Sequence, residues 1–390
     1  MLTYKFRLYP TETQVKIMNE TLETCRILYN ELLADRIENK TGFYEQKKML
    51  VELKKKNSNK YLKQVYSQVL QDVVLRLDKA YQAFFTGLSR YPKFRRRGRY
   101  NSFTYPQSGF KLSLEDSRII KLSMIGEVKV RIHRQVDGGA IKRVTVIRDI
   151  DQWFVALLVD DEDCVGELSS GDGGKVGVDV GVSNIVALSD GTLIDNPRFL
   201  NLSVERIKML QRRLSRKKRG SNNREKAKLS LAKMWRKVRR QRDDFTHKLS
   251  DKLVKDNKTI VFEDLRIGNM VKNHSLASAI MDSTWGKLRQ LTAYKAERRG
   301  GQVILVNPCG TSQKCSRCGN EEEHLKLSDR VFRCSACGII MDRDVNAARN
   351  ILNLGLEQAR AETEPIPVTA VRRIGKFSQG SRKPTAFRRG

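Results

Sequence analysis

The most informative stretch of this chain runs from Cys334-Ser-Ala-Cys337 into Asp342-Arg-Asp344-Val-Asn346-Ala-Ala. A matching pair, Cys315-Ser-Arg-Cys318, lies upstream, with 15 residues between the two pairs. Two Cys-x2-Cys pairs at this separation are typical of a four-thiolate zinc site. Carboxylates are instead the hard oxygen ligands that suit magnesium. The stretch therefore predicts two different metal sites only a few residues apart.

The cysteine pairs predict a zinc ribbon. Four thiolates already complete the tetrahedron of a structural zinc site, so His324 is a weaker rival and Cys309 a spare thiol. Gly319 and Gly338 each directly follow a pair and suit the tight turns of zinc knuckles. We expect one structural Zn²⁺, with the ligands Cys315, Cys318, Cys334 and Cys337.

Two further acidic residues lie in or at the end of apolar strands. Asp179 is flanked by Gly177 and Gly181, and a carboxylate inside an apolar strand is costly unless it is paired or bound to a metal. The glycines would let a substrate or a metal approach closely. Glu263 ends the strand Thr259-Ile-Val-Phe262. Its neighbour Asp264 is the weaker candidate, because successive side chains of a strand point to opposite faces.

Asp344 opens a predicted helix and supplies the third acidic residue. It could serve merely as an N-cap, and Asp342 is the alternative for either role. Together, Asp179, Glu263 and Asp344 suit hydrolysis of a phosphodiester by two Mg²⁺ or Mn²⁺ ions roughly 3.5–4 Å apart. An actin-like ATPase would also explain a Gly-x-Asp-x-Gly strand, but the second phosphate motif of that class is absent from the sequence.

The charge of the chain points to a polyanionic partner. The 390 residues carry a formal net charge of +31, with an isoelectric point near 10.0. The basic residues are spread over most of the chain, which favours nucleic acid over a membrane surface. The sequence has no apolar run of 18 residues and no apolar N-terminal signal, so we expect no membrane span. Seven cysteines, an odd number, indicate reduced thiols. These features predict a protein that stays inside the cell that makes it; the family resemblance given below implies a cytoplasmic, nucleoid-associated protein of a prokaryotic host.

Two segments are candidates for contact with a nucleic-acid backbone. Residues 91–100 interleave five basic residues with aromatic ones, and residues 201–240 contain sixteen basic residues against two acidic ones. Such runs are often only solvated faces, but their density here exceeds what solubility needs. The predicted contacts are Lys93, Arg95, Arg96, Arg97, Arg99, Arg212, Arg213, Arg216, Lys217, Lys218, Arg236, Arg239 and Arg240.

Periodicity predicts a multidomain α+β chain. Helical spacing follows a capping-box pattern at Thr11, and a second helix is expected from Tyr66 to Leu88. Five short strands between Ser102 and Val159 predict a small barrel, with the N-terminal strand as the candidate to close it. After a Gly- and Ser-rich segment, strands and helices alternate and include a long basic hairpin at 202–255.

These residues, in this order, resemble TnpB, the transposon-encoded RNA-guided DNA endonuclease related to compact type V CRISPR effectors. The resemblance rests on Gly-Val-Asp179-Val-Gly, Phe-Glu263-Asp-Leu, the cysteine ribbon and Asp342-Arg-Asp344-Val-Asn-Ala-Ala, and it spans about residues 1–357. It implies a RuvC-like RNase H fold with an inserted four-cysteine zinc ribbon. Its catalytic, magnesium-binding triad would be Asp179, Glu263 and Asp344.

The resemblance also implies partners and a reaction. A guide RNA from the element's end would direct cleavage of double-stranded target DNA next to a short flanking motif, as in Cas9-type systems. A single RuvC site would cut both strands, and a monomer is favoured. The alternative is a nucleic-acid-binding regulator of transposition that needs no cleavage.

The expected parts are a first wedge strand (1–10), a helical recognition domain (11–97), a β-barrel wedge (98–165), a linker (166–174), a RuvC-like nuclease (175–308), a zinc ribbon (309–340), a RuvC-like motif III helix (341–357) and a disordered basic tail (358–390).

Overall fold

The computed structural model describes residues 1–56, 59–112, 118–136, 139–160, 173–322 and 329–363. The predicted linker at 166–174 lies mostly outside these ranges, as do His324 and the predicted tail beyond residue 363. The described residues form two compact units. The first contains the described part of Met1–Ser169 together with Asn201–Arg240 and Arg298–Gly300. The second contains the described part of Ser170–Leu200, Gln241–Glu297 and the described residues from Gly301 onward.

The first unit begins with a strand and a helical layer. Thr11 caps the first helix as predicted, since its hydroxyl accepts a hydrogen bond from the Gln14 amide and the Gln14 side chain accepts one from the Thr11 amide. The elements are β1 (Leu2–Tyr9), α1 (Glu12–Glu38), α2 (Phe43–Lys55), α3 (Lys60–Lys63) and α4 (Ser67–Phe85). The predicted second helix is therefore α4, while α2 and α3 were not predicted from the sequence.

A seven-stranded antiparallel sheet completes this part of the first unit. Its further strands are β2 (Ser102–Tyr105), β3 (Phe110–Leu112), β4 (Ile119–Leu122), β5 (Gly126–Arg131), β6 (Ile141–Asp149) and β7 (Gln152–Val159). The order is β2-β6-β7-β1-β5-β4-β3, so the N-terminal strand lies between β7 and β5 in the middle of the sheet. Among the described residues the two end strands, β2 and β3, do not pair, so the hydrogen bonds define an open sheet and not a closed barrel.

The second unit is built on a five-stranded mixed sheet. Its first strands are β8 (Gly174–Asp179), β9 (Asn184–Leu188) and β10 (Leu193–Asp195). Along the chain come two helices, α5 (Val204–Ser215) and α6 (Asn222–Asp256), and then β11 (Asn257–Glu263), α7 (Ile267–Met270), α8 (His274–Ser283), α9 (Trp285–Arg298) and β12 (Gln302–Val306). The order is β10-β9-β8-β11-β12, with β8, β11 and β12 mutually parallel. Buried Val176, Val178, Ile260 and Phe262 form its core with residues of the surrounding helices.

The basic hairpin is divided between the units. The sequence placed all of 202–255 in the nuclease part, whereas the structure groups Asn201–Arg240 with the first unit. Hydrogen bonds and ion pairs connect this part of α6 to strand β6 and the turn after it. Arg236 of α6 donates hydrogen bonds to Asp151 (2.6 Å) and to the Asp149 carbonyl (2.9 Å), and Arg239 donates to the Asp149 carboxylate (2.7 Å). Residue spacing along α6 could not show these partners.

A small ribbon and a long helix end the described chain. The ribbon carries β13 (Val331–Arg333) and β14 (Ile340–Asp342), and the helix is α10 (Arg343–Thr363). Helix α10 therefore continues six residues past the predicted boundary at 357, into the segment expected to be a disordered tail. Within the described ranges, no helix is long and apolar enough to cross a membrane.

Helix α10 packs against the sheet through two glycines. A Cβ atom at Gly177 of β8 would overlap the Ala348 carbonyl oxygen, and one at Gly355 of α10 would lie 2.5 Å from Val261 of β11. Gly181 likewise faces the Asn184 carbonyl oxygen, 2.7 Å from a hypothetical Cβ. The sequence-based interpretation of Gly177 and Gly181, as openings for a substrate or metal, is wrong. Both glycines accommodate the protein's own backbone.

We expect Gly177→Ala to lower the melting temperature by the equivalent of roughly 1–3 kcal/mol or more, because the added methyl group meets backbone that cannot move aside. Gly268→Ala is the matched control, since a Cβ there has no atom within 4 Å and helical alanine is favoured over glycine. Thermal denaturation of the two variants checks this. Equal melting temperatures would show that α10 does not pack tightly on β8.

Candidate active site

Three acidic residues converge where α10 begins above the ends of two strands. Val178 of β8 pairs with Phe262 of β11, so the next residues, Asp179 and Glu263, leave adjacent parallel strands side by side. Asp344 lies in the first turn of α10, one helical turn before the Ala348 carbonyl that covers β8. Residues separated by 165 positions in the chain thus lie within electrostatic range of one another.

The pKa values of Asp179 and Glu263 are both raised. Burial raises the pKa of Asp179 to about 7, and the charges of Glu263 and Asp344 contribute in the same direction. Burial also raises the pKa of Glu263, against the opposing effect of a hydrogen bond from Thr311. Burying several carboxylates together is unfavourable without a cation, and their oxygens are the donors that Mg²⁺ prefers. The residues present therefore fit a magnesium site.

The neighbouring acidic residues have other partners. Asp264 is exposed on the opposite side of β11, where its carboxylate pairs with Arg289 at 2.8 Å. Asp342 caps α10, since its Oδ1 accepts hydrogen bonds from the backbone amides of Asp344 (2.8 Å) and Val345 (3.2 Å). The capping role thus belongs to Asp342. The Asp344 carboxylate instead has two guanidinium groups beside it, from Arg330 (3.7 Å) and Arg343 (3.6 Å).

The cysteines converge as a tetrahedral metal site requires. The sulfur atoms of Cys315 and Cys337 are 3.7 Å apart and those of Cys318 and Cys334 are 3.5 Å apart. A tetrahedron with Zn–S bonds of about 2.3 Å has sulfur atoms about 3.8 Å apart. In the part of the chain that the structure describes, these four cysteines are the one group of three or more histidine, cysteine or acidic residues placed to hold a metal ion, and their sulfur atoms all lie within 4.8 Å of one another.

The turns of the ribbon follow the predicted pattern. Gly319 and Gly338 have φ values of 78° and 70°, the left-handed region that glycine adopts without strain. Their amides donate to the carbonyls of Cys315 (2.9 Å) and Cys334 (3.0 Å), which closes two equivalent knuckles. Local sequence therefore predicted this part of the structure in detail.

Two asparagines for which the sequence predicted no role attach the ribbon to α10. Asn346 is fully buried. Its amide group donates to the Lys314 carbonyl (2.8 Å), and its side-chain oxygen accepts from the Ser316 amide (2.9 Å). Asn350, one turn later, donates to the carbonyls of Thr311 (2.8 Å) and Lys314 (2.6 Å). Two asparagines at i and i+4, on one face of the predicted helix, were the available sequence signal.

Thr311 was also missed. Its hydroxyl donates a 2.6 Å hydrogen bond to Oε1 of Glu263, and the residue is buried. Thr311 precedes the first zinc cysteine by four positions, so this contact links the ribbon to the carboxylate group.

The first predicted basic segment is exposed and adjoins an aromatic cluster. All five basic residues of 93–99 are exposed, and Arg95 stacks on Tyr29 at 5.4 Å. Next to them, the ring of Phe84 lies 5.2 Å from Tyr91 and 5.4 Å from Phe85, whose side chain is 77% exposed. An exposed aromatic surface beside exposed cations suits a nucleic-acid strand.

The second predicted basic segment is heterogeneous. Its tip is open to solvent, with Arg212, Arg213, Arg216 and Lys218 exposed and Lys217 half-buried. The other arm is engaged within the protein. Arg236 is 8% exposed and bonded to Asp151, while Arg239 and Arg240 both pair with Asp149. Arg240 also lies over the Phe154 ring at 5.4 Å.

Three family models match the chain. One described as "Probable transposase" matches residues 165–274, one described as "Cas12f1-like, TNB domain" matches residues 285–351, and one described as "Helix-turn-helix domain" matches residues 1–43. In the structure, that last region is β1 followed by a single 27-residue helix and the start of α2.

Two bacterial proteins resemble nearly the whole chain. A Streptomyces pristinaespiralis protein named "Putative RNA-guided DNA endonuclease" is 34% identical over 385 residues, which covers 96% of this chain and 94% of that protein. An Escherichia coli (strain K12) protein named "Putative RNA-guided DNA endonuclease InsQ" is 35% identical over 373 residues, with 90% and 92% covered.

A solved structure shares the fold. It is described as a cryo-EM structure of the "Cas12f1-sgRNA-target DNA complex", and it matches with a TM-score of 0.54 at 15% identity, covering 87% of this chain and 82% of that one. The fold is thus of the Cas12f1 class. With the two long bacterial matches, the chain belongs to the TnpB family, the family of proteins named as RNA-guided DNA endonucleases.

The raised pKa of Asp179 predicts a pH-dependent stability. Its value of about 7 in the folded protein exceeds the ordinary 3.8, so the native state holds this proton more tightly and loses stability as pH rises from about 4 through about 7. Asp179→Asn removes that loss. In EDTA we expect it to raise the melting temperature at about pH 8, by the equivalent of a few kcal/mol in order of magnitude, and little at about pH 4. Asp264→Asn is the exposed control, for which we expect no gain at the higher pH. A pH-independent effect of Asp179→Asn would contradict the assigned cause.

Proposed function

We propose that this protein is an RNA-guided DNA endonuclease, encoded by a transposon, that hydrolyses target DNA at one RuvC-like site. The observation that carries the proposal is the convergence of Asp179, Glu263 and Asp344 from two strand ends and a helix start. A structure that buries three acidic residues together at a cost in stability is best explained by a cation-dependent reaction. The family relationship favours DNA as the substrate.

The three carboxylates would hold the catalytic metal. When bound, two Mg²⁺ or Mn²⁺ ions would activate the attacking water and stabilise the leaving oxygen of a phosphodiester. In the metal-free protein the pKa of Asp179 is about 7, so a cation and a proton would compete for this carboxylate near neutral pH. Asp342 keeps the first turn of α10 in place through the Asp344 amide, so the Asp344 carboxylate is not used as the helix cap.

The cysteine site would hold one Zn²⁺ with a structural role. Four thiolates fill a tetrahedron and leave no open position for a substrate or water, which distinguishes a structural site from a catalytic one. The proposed ligands are Cys315, Cys318, Cys334 and Cys337, whose sulfur spacing suits this ion.

The proposed partners are a guide RNA and double-stranded target DNA. A solved relative is described in complex with an sgRNA and target DNA, which supports both. The exposed cations of 93–99 and of the α5–α6 tip, with their aromatic neighbours, are the proposed contacts. We do not include Arg236, because its guanidinium is buried and bonded to Asp151. Recognition of a short flanking motif, the named domain roles and association with the nucleoid are part of this proposal.

Removing the central carboxylate should separate binding from cleavage. We expect Asp179→Ala to retain the copurifying RNA and to lower the rate of Mg²⁺-dependent plasmid cleavage by at least roughly 10³-fold, the scale seen when a member of a catalytic group is removed. Asp264→Ala, one residue beyond Glu263 on the opposite side of its strand, is the matched control and should cut normally. Cleavage by Asp179→Ala at the wild-type rate would refute the assignment. If the wild type bound RNA and DNA but never cut, a regulator of transposition would be the better conclusion.

The basic segment should contribute through phosphate contacts. We expect Arg96→Ala with Arg99→Ala to weaken binding of the copurifying RNA, transcribed in vitro, and to reduce the slope of log K against log salt by about 1.4–1.8. Lys121→Ala with Lys248→Ala is a control of equal charge change, since each of these lysines pairs with an acidic side chain. Filter binding at several salt concentrations measures both slopes. An unchanged slope in the arginine variant would exclude this segment from the interface.

A further inference from the structure

Thr311 lies where the zinc ribbon contacts the carboxylate group. Its hydroxyl has one proton, and the acceptor at 2.6 Å is Oε1 of Glu263, whereas the Pro308 carbonyl is 3.4 Å away. Hydrogen bonds to an ionised carboxylate are short and roughly twice as strong as neutral ones. The hydroxyl therefore fixes the direction of one Glu263 oxygen.

The position of Thr311 is itself fixed by two asparagines of helix α10. Its carbonyl accepts a 2.8 Å hydrogen bond from Asn350, which also holds the Lys314 carbonyl next to the first zinc cysteine. Asn346 forms hydrogen bonds with the backbone of the same segment at Lys314 and Ser316. Helix α10 carries Asp344 in its first turn. Its hydrogen bonds thus fix the position of residues 311–316.

We infer that Thr311 is a positioning residue for Glu263, and that the ribbon sets the geometry of the proposed metal site as well as any contact it makes with nucleic acid. This inference rests on the proposed function. Outer partners of ligating carboxylates commonly change metal affinity by about 10–100-fold when they are removed. The path has three steps: the cysteine knuckle orders residues 311–316, the α10 asparagines hold them, and the Thr311 hydroxyl orients Glu263.

The test compares Thr311→Val, which removes only the hydroxyl's hydrogen bond at nearly constant volume, with Thr311→Ser, which keeps it. In the purified ribonucleoprotein, we expect Thr311→Val to weaken Mn²⁺ binding, measured by electron paramagnetic resonance, by about 10–100-fold. We expect the Mg²⁺ concentration for half-maximal cleavage to rise by a similar factor. Thr311→Ser should stay within about threefold of the wild type, since its hydroxyl can make the same bond.

Thr292→Val is the matched control. Thr292 is fully buried in α9, and its hydroxyl has no hydrogen-bond partner in the described part of the chain, so its loss should leave Mn²⁺ binding unchanged. Zinc content and copurifying RNA should stay at wild-type levels in all of these variants. Wild-type Mn²⁺ affinity in Thr311→Val would overturn the inference.

A double-mutant cycle separates orientation of Glu263 from general damage to the fold. With Glu263→Gln the carboxylate is absent, so adding Thr311→Val should cause little further loss of Mn²⁺ affinity. A full, additive loss in that background would overturn the inference, because the valine would then be acting elsewhere. Failure of the proposed function has a different signature: the wild-type ribonucleoprotein itself would neither bind Mn²⁺ nor cut DNA.

Discussion

The structure of the second unit depends on the close approach of α10 to β8. Helix backbone occupies the space that a side chain at residue 177 would take, since a Cβ there would overlap the Ala348 carbonyl oxygen. This approach brings the first turn of α10 over the end of β8 and so sets Asp344 near Asp179. A larger residue at 177 would move the helix outward and separate the carboxylates. The packing constraint and the chemistry of the site therefore have the same origin.

The site that results is electrostatically unfavourable by itself. Asp179 is buried beside two other carboxylates, and its pKa of about 7 reports that conflict. Three contacts around it offset part of this unfavourable charge burial. The Thr311 hydroxyl donates a hydrogen bond to Glu263, Asp342 caps α10, and guanidinium groups lie beside Asp344. Unfavourable burial concentrated at one site and relieved at its edges is expected where stability is given up for function.

The sequence predicted what depends on local pattern. The Thr11 capping box and the knuckle glycines 319 and 338 follow from residues a few positions apart. The choice of Glu263 over Asp264 as a metal ligand rests on the same kind of local pattern and stays a prediction. The short strands β3 and β10 carried too few residues for a periodic signal. The roles of Gly177, Thr311 and Arg236 were misread or missed because each depends on a distant partner, 48 to 171 positions away. These partners are Ala348 for Gly177, Glu263 for Thr311 and Asp151 for Arg236. Contacts at such separation leave no mark in a single sequence.

The central place of β1 has a consequence for synthesis of the chain. Leu2 pairs with Val159, and the same strand pairs with β5 on its other edge, so a strand that precedes both of its partners by more than about 100 residues lies in the middle of the sheet. During synthesis both edges of β1 stay unpaired until β5 follows, with Lys129 opposite Tyr9, and the second edge stays unpaired until β7 follows, with Val159 opposite Leu2. Non-local pairing of this kind slows folding and leaves unpaired strand edges open to aggregation. Phe6 and Leu8 of β1 share one buried cluster with residues of α1 and α4, so these two local helices can cover the apolar face of β1 before β5 and β7 have been made.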